Sequence, residues 1–304
     1  YRIPFAFLLY LSTPTYKQRR TAPNLNQRIA AAAIKTIVET LPLWMVRSIF
    51  NFTGVLEQIA NGMYVGEQRN KWCQDAETED VGENADMVIL YAHGGGLNVG
   101  EALISLVVFV RWIKAWKISH GANTHIISLE YGLAPEHVFP SHRDTSLELL
   151  NNPTAYNAPL PSRLLLISPC VSALTTSHSF KTNYDNDCIS MSLFYDCLEN
   201  TLGHYNIHPT SPQISPLFER HLRGLPKVWI CVGGYEVFLD DIVSLVEKAR
   251  SQEVSAELLI EENNMHNYAI LWSLSRNGGA QRAMKYMSRF LYGEQPVISQ
   301  KTKG

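Results

Sequence analysis

YAHGGGLNVG, residues 91–100, sets three glycines in a row behind an apolar run, Met87–Ala92, with His93 in front and Gly100 four positions on. Glycine gives up more backbone freedom on folding than any other residue, so such a cluster is retained where backbone must approach something closely. A glycine turn between a strand and a helix has two common uses. Cradling a dinucleotide pyrophosphate requires G-x-G-x-x-G and an acidic residue at the end of the next strand, and Gly94, Gly95 and Gly96 lack that spacing. The other use is to let successive N–H groups converge on one oxygen that becomes negative during a reaction; losing one such donor costs about 3–4 kcal/mol of transition-state stabilisation.

Outward from this turn the chain alternates short β-rich apolar runs with helical ones, the pattern of a mostly parallel sheet flanked by helices. Strands are predicted at Met87–Ala92, Thr124–Glu130, Arg163–Ser168, Lys227–Val232 and Ala256–Ile260, those at Arg163 and Lys227 reading as fully buried. Helices are predicted at Glu101–His120, Asp144–Leu150, Met191–Leu202, Asp240–Gln252 (Leu245, Val246 and Ala249 inward) and Ala280–Tyr292. Upstream, Asn26–Leu41 and Leu43–Ala60 read as two helices broken by Pro42, followed by a polar loop, Gln74–Asp86. The expected organisation is an N-terminal helical cap over residues 1–70 and an α/β domain over 71–304, with a cap-like insertion at about 175–223.

HGGG (93–96), YGLAPEHVFP (131–140), LISP (166–169), SPQISPLF (211–218), GLPKVWICVGGYEVFLDD (224–241) and NNMHNY (263–268) stand in an order that resembles the hormone-sensitive-lipase-like branch of the α/β-hydrolases. The resemblance runs from about Met87 to the last helix, with a flavour of fungal steryl acetyl hydrolases and arylacetamide deacetylases. It implies an α/β-hydrolase fold, no cofactor, and a small hydrophobic ester as substrate: a short acyl ester of a hydrophobic alcohol. By position it implies that Gly95 and Gly96 supply oxyanion-hole N–H groups, Glu236 is the triad acid and His266 the general base. The family more often has Asp at the acid position. Asp240 and Asp241, on the following helix, are poorer candidates.

Such an enzyme attacks with a serine on a sharp strand-to-helix turn, G-x-S-x-G, and that pattern occurs nowhere in the 304 residues. SLELL (146–150) runs through NNPTAYNAPLPS straight into RLLLIS (163–168), where the family has a further strand, elbow and helix. A strand–turn–helix unit of roughly 30 residues is therefore expected to be missing, as in a partial or mis-spliced gene product. Its loss should leave unpaired ladders on both neighbouring strands and an uncovered sheet face unless the neighbours close up. Ser168 would then lie near the nucleophile's place, but Pro169 after it has no N–H to give the oxyanion. Ser146 lies within a predicted helix that faces elsewhere. The expectations are an esterase by descent that lacks its nucleophile or, in a different class, a non-catalytic binding protein on the same scaffold.

Composition narrows the rest. A formal net charge of −2 and a pI near 6.6 offer no basic footprint for nucleic acid. Ile3–Leu11 is too short to span a bilayer, which needs about 20 residues, but it could be the tail of a lost anchor, leaving a cytoplasmic or endoplasmic-reticulum-membrane location open. Asn51-Phe52-Thr53 is a glycosylation sequon of little weight. Five scattered cysteines read as free thiols, although Cys188 and Cys197 could pair in an oxidising compartment. His204 and His208 have metal-like spacing but Pro209 follows and no third ligand is evident; Asp185-Asn186-Asp187 begins like a calcium loop but lacks its glycine and closing glutamate.

Overall fold

The structure, a computed structural model, describes residues 25–48, 85–129, 131–139, 161–203, 205–272, 275 and 277–293. The N-terminal apolar run, the Asn51 sequon, Cys73, Ser146 with the helix expected at Asp144, and His204 lie outside the described residues.

Five strands form: β1 (Met87–Ala92), β2 (Thr124–Leu129), β3 (Arg163–Ile167), β4 (Lys227–Gly233) and β5 (Ala256–Glu261). The helices are α1 (Leu25–Thr40), α2 (Leu106–His120), α3 (His178–Thr182), α4 (Met191–Leu202), α5 (Leu239–Ser251) and α6 (Gly279–Tyr292). All strand pairings are parallel, but among the described residues they make two sheets, β1–β2 and β3–β4–β5.

One face joins the two sheets. Met87, Ile89 and Tyr91 of β1, Ile126 of β2, Leu165 and Ile167 of β3, Trp229 and Cys231 of β4 and Leu259 of β5 pack into a single apolar cluster with Val108, Trp112 and Trp116 of α2 and Ala283, Met287 and Leu291 of α6. The period of two along each strand thus meets the helical stripes of α2 and α6. On the opposite face, Leu164, Leu166, Val228, Ile230, Val232 and Leu258 pack on Ile242, Leu245, Val246 and Ala249 of α5. Among the described residues that second layer stops at β3. Val88, Leu90 and Ile127 remain 45%, 51% and 42% exposed, unlike the strands of a parallel sheet covered on both sides.

Two expectations need correction. The helix predicted from Glu101 begins at Leu106, because residues 101–105 form isolated turns in which the Ala102 carbonyl accepts the Ser128 hydroxyl at 2.6 Å. β3 is half-buried along its length while β4 is buried almost throughout, since β4 has a strand on each side and β3 pairs with β4 alone among the described residues. The cysteines among the described residues, Cys170, Cys188, Cys197 and Cys231, are free thiols as read from the sequence, and the alternative pairing of Cys188 with Cys197 does not form.

Candidate active site

Each residue implied by the resemblance follows the C-terminal end of a parallel strand, where α/β sheets place their ligands. Glu236 and His266 do meet. Glu236 lies in the turn between β4 and α5, fully buried, and its Oε2 is 3.1 Å from Nδ1 of His266, in the loop after β5. The other carboxylate oxygen, Oε1, accepts the Gly233 N–H at 2.6 Å and the Ser168 hydroxyl at 2.7 Å. Those contacts hold one oxygen in place and aim the other at the imidazole. Gly233 is needed for the approach of the two loops, because a Cβ there would sit 2.3 Å from the Asn264 carbonyl oxygen.

The His266 ring is 14% exposed and packs edge-on against Phe238 at 5.6 Å between centroids. Burial disfavours its charged form, but the hydrogen bond and charge of Glu236, joined by the charge of Asp187, outweigh that and raise the pKa above 6.5. With Nδ1 engaged, Nε2 is the nitrogen left for proton transfer. Asp240 and Asp241 are not at this imidazole: the Asp240 carboxylate accepts the Ser179 N–H at 2.6 Å, and the Asp241 carboxyl is pushed up by burial.

Ser168 turns out to support the acid. It is buried at φ +48°, an uncommon conformation for a residue with a Cβ, and this bend turns its hydroxyl onto Glu236 while the oxygen accepts the Asn267 N–H at 3.0 Å. Both capacities of the hydroxyl are spent in the core, which argues against a nucleophilic role as Pro169 does.

The glycine loop is tightly wound. Gly95, at φ +116°, gives its carbonyl to the N–H groups of Asn98 and Val99, both at 3.1 Å, and a Cβ there would lie 2.0 Å from the Val99 oxygen. Among the described residues neither the Gly95 nor the Gly96 N–H is spent on a hydrogen bond, so both remain available to an incoming oxygen. Asn98, buried behind the loop, donates to Gly96 O at 2.7 Å, Cys197 O at 3.1 Å and Thr201 Oγ1 at 3.3 Å, tying the loop to α4. Arg47 adds a staple from the N-terminal segment: it donates to Asn98 O at 2.7 Å, to Ala134 O, and to both oxygens of Glu136 at 3.0 and 2.9 Å. A Cβ on Gly96 would come within 2.8 Å of the Cys197 sulfur. That thiol is no substitute nucleophile, because burial pushes its pKa up to about 12.

Asn98, Arg47, the supporting role of Ser168, and Asp187 escaped the reading of the sequence. Asp187 and Ser168 had been named there for other roles, the first in the acidic triplet set aside as a failed calcium loop, the second as a stand-in nucleophile.

Comparison with known proteins bears on the fold. Residues 153–270 match the profile of the α/β hydrolase fold family. An esterase of Acinetobacter venetianus is 25% identical over 221 residues, which cover 61% of this chain and 68% of that protein. A crystal structure of a hormone-sensitive lipase from a metagenome library superposes with a TM-score of 0.66 at 22% identity, covering 89% of this chain and 98% of the lipase. A crystal structure of an esterase/lipase from an uncultured bacterium does so with a TM-score of 0.54 at 24% identity, covering 69% and 76%. The chain is an α/β-hydrolase-fold protein.

Proposed function

We infer that the chain carries the machinery of a carboxylic-ester hydrolase of the hormone-sensitive-lipase-like kind, without its nucleophile. His266 would take a proton from an attacking hydroxyl through Nε2 and return it to the leaving alcohol. Glu236 would hold the imidazole by Nδ1 and stabilise it when charged, and the N–H groups of Gly95 and Gly96 would bind the tetrahedral oxyanion. The substrate class is a short acyl ester of a hydrophobic alcohol, as in steryl acetyl hydrolases and arylacetamide deacetylases, with the segments at 1–70 and 175–223 acting as the cap that shapes specificity. The observation that carries the reading is the 3.1 Å contact between His266 Nδ1 and a Glu236 carboxylate held by two further donors. Support for the ester class comes also from the similar esterase EstE5, whose crystal was soaked with p-nitrophenyl butyrate.

The absence of G-x-S-x-G, together with the uncovered apolar face of β1 and β2, favours loss of a strand–elbow–helix unit between Leu150 and Arg163. The same absence favours the second reading, a binding protein on a hydrolase scaffold. Sequencing the transcript across the codons for Leu150 to Pro161 separates the two. If the message encodes the motif, its product should take a fluorophosphonate label and hydrolyse p-nitrophenyl butyrate, and His266→Ala should cut kcat/KM by about three orders of magnitude or more. Full activity in that variant would end the acid–base assignment. A message without the motif, giving protein that neither labels nor hydrolyses, would select the binding reading.

A further inference from the structure

We propose that Asp187 is a second buried acid of this site, a positioning residue that locks the loops carrying Glu236 and His266 together and adds its negative charge to the imidazole's surroundings. The proposal deepens the function inferred above and rests on that reading of the Glu236–His266 pair.

Asp187 is fully buried in the turn between α3 and α4. Its Oδ1 accepts the N–H of His266 itself at 3.0 Å and that of Cys188 at 2.8 Å, while Oδ2 accepts the N–H of Val237, the residue after Glu236, at 2.9 Å. Three N–H donors on two oxygens, with no acceptor opposite them among the described residues, favour the ionised carboxylate against the effect of its burial. The same turn grips the acid loop a second time, because Asn183 Nδ2 donates to the carbonyls of Gly234 at 3.1 Å and Glu236 at 2.9 Å. The turn is closed by its own backbone, the Asp187 N–H reaching Asn183 O at 2.9 Å. From the outside α1 presses on it: Lys35 donates to Tyr184 O, and Ala31 packs with Cys188 and with Met265, the residue before His266.

A buried carboxylate that only accepted backbone N–H groups in one loop would be a turn device. Asp187 instead bridges three segments that are far apart in sequence, and two of its three partners flank or carry the proton-transfer pair. The charged and titratable groups around it are Glu236 from the β4–α5 turn, His266 from the loop after β5, Cys188 beside it, and Lys35 from α1. Burial pushes the Asp187 carboxyl up; the positive charge of His266 opposes that, and the charge of Glu236 adds to it. Two acids therefore face one imidazole, one through its Nδ1 and one through its backbone, and both favour the protonated ring.

The test is the side-chain titration of His266, followed by NMR on ring-labelled protein and assigned with His266→Gln. It needs no turnover, so it applies to the chain as it is. Asp187→Asn keeps the shape and one acceptor but removes the charge; it should lower the His266 midpoint, whereas Asp185→Asn, at an exposed residue two positions away, should not. In the unaltered protein the amide protons of Val237 and His266 should exchange slowly, a reading that survives even if the Asn variant folds poorly. An unmoved midpoint in Asp187→Asn beside a clear fall in Glu236→Gln would overturn the role of Asp187 while sparing the pair. An unmoved midpoint in both would remove the pair as well, and rapid exchange of both amides in the unaltered protein would also overturn the clamp.

Discussion

Replacing Ser168 should show what its hydroxyl contributes to the buried turn around Glu236. Ser168→Ala removes a 2.7 Å hydrogen bond to the Glu236 carboxylate and leaves the Asn267 N–H without its 3.0 Å acceptor, both in the buried interior. A bond to a charged acceptor is worth about 1.5–3 kcal/mol and an unsatisfied buried N–H costs about 1–3, so a loss of about 3 kcal/mol is expected. Ser168→Gly loses the same bonds but relieves the positive φ, worth roughly 1–2 kcal/mol, against a backbone-entropy cost of roughly 0.5–1 kcal/mol. Glycine should therefore be the milder change by about 0.5–1 kcal/mol. Equilibrium unfolding in urea, followed by tryptophan fluorescence, gives both values provided the slope with denaturant is unchanged. An alanine variant within about 0.5 kcal/mol of the parent would refute the bond, and a glycine variant less stable than alanine would refute the strain.

Three other outcomes follow from the same geometry. Gly95→Ala should destabilise by about 3 kcal/mol or more, since its Cβ meets the Val99 oxygen at 2.0 Å, while Gly94→Ala, with nothing within 4 Å, should shift the melting temperature little. Arg47→Ala should cost about 1–2 kcal/mol, mainly through the Asn98 and Ala134 carbonyls, because Glu136 is 60% exposed; Arg47→Lys should recover little, since an ammonium cannot reproduce the fork, and limited proteolysis of the 94–100 loop would report the loosening. The folded pKa of His266 is raised, so its contribution to stability is complete below the unfolded value of 6.5 and is lost as pH rises through the folded midpoint. The stability gap between the parent and His266→Ala should thus widen on acidification, and a gap that widens toward alkaline pH would contradict the ion pair.

The local signals were strong where the physics is local. The five apolar runs became strands within a residue or so of their expected ends because a buried parallel strand needs an unbroken β-rich stretch, and α5 buried Leu245, Val246 and Ala249 as its period required. The helix after the glycine loop began five residues late, because a hydroxyl from β2, remote in sequence, took one of its first carbonyls.

From the residues alone come the alternation of strands and helices, the glycine turn and the lack of a G-x-S-x-G pattern, each a matter of spacing along the chain; Glu236 and His266 were pointed to only by the family resemblance. Tertiary structure decided which acid met the imidazole, that Ser168 turned inward to hold it, that Asp187 bridged the two loops, and that the described strands stood in two sheets sharing one core. The reason is physical: a hydrogen bond such as that from the Asn267 N–H to Ser168 joins residues 99 positions apart, and its formation depends on the packing of β3, β4 and β5 side by side rather than on any pattern in the neighbouring sequence.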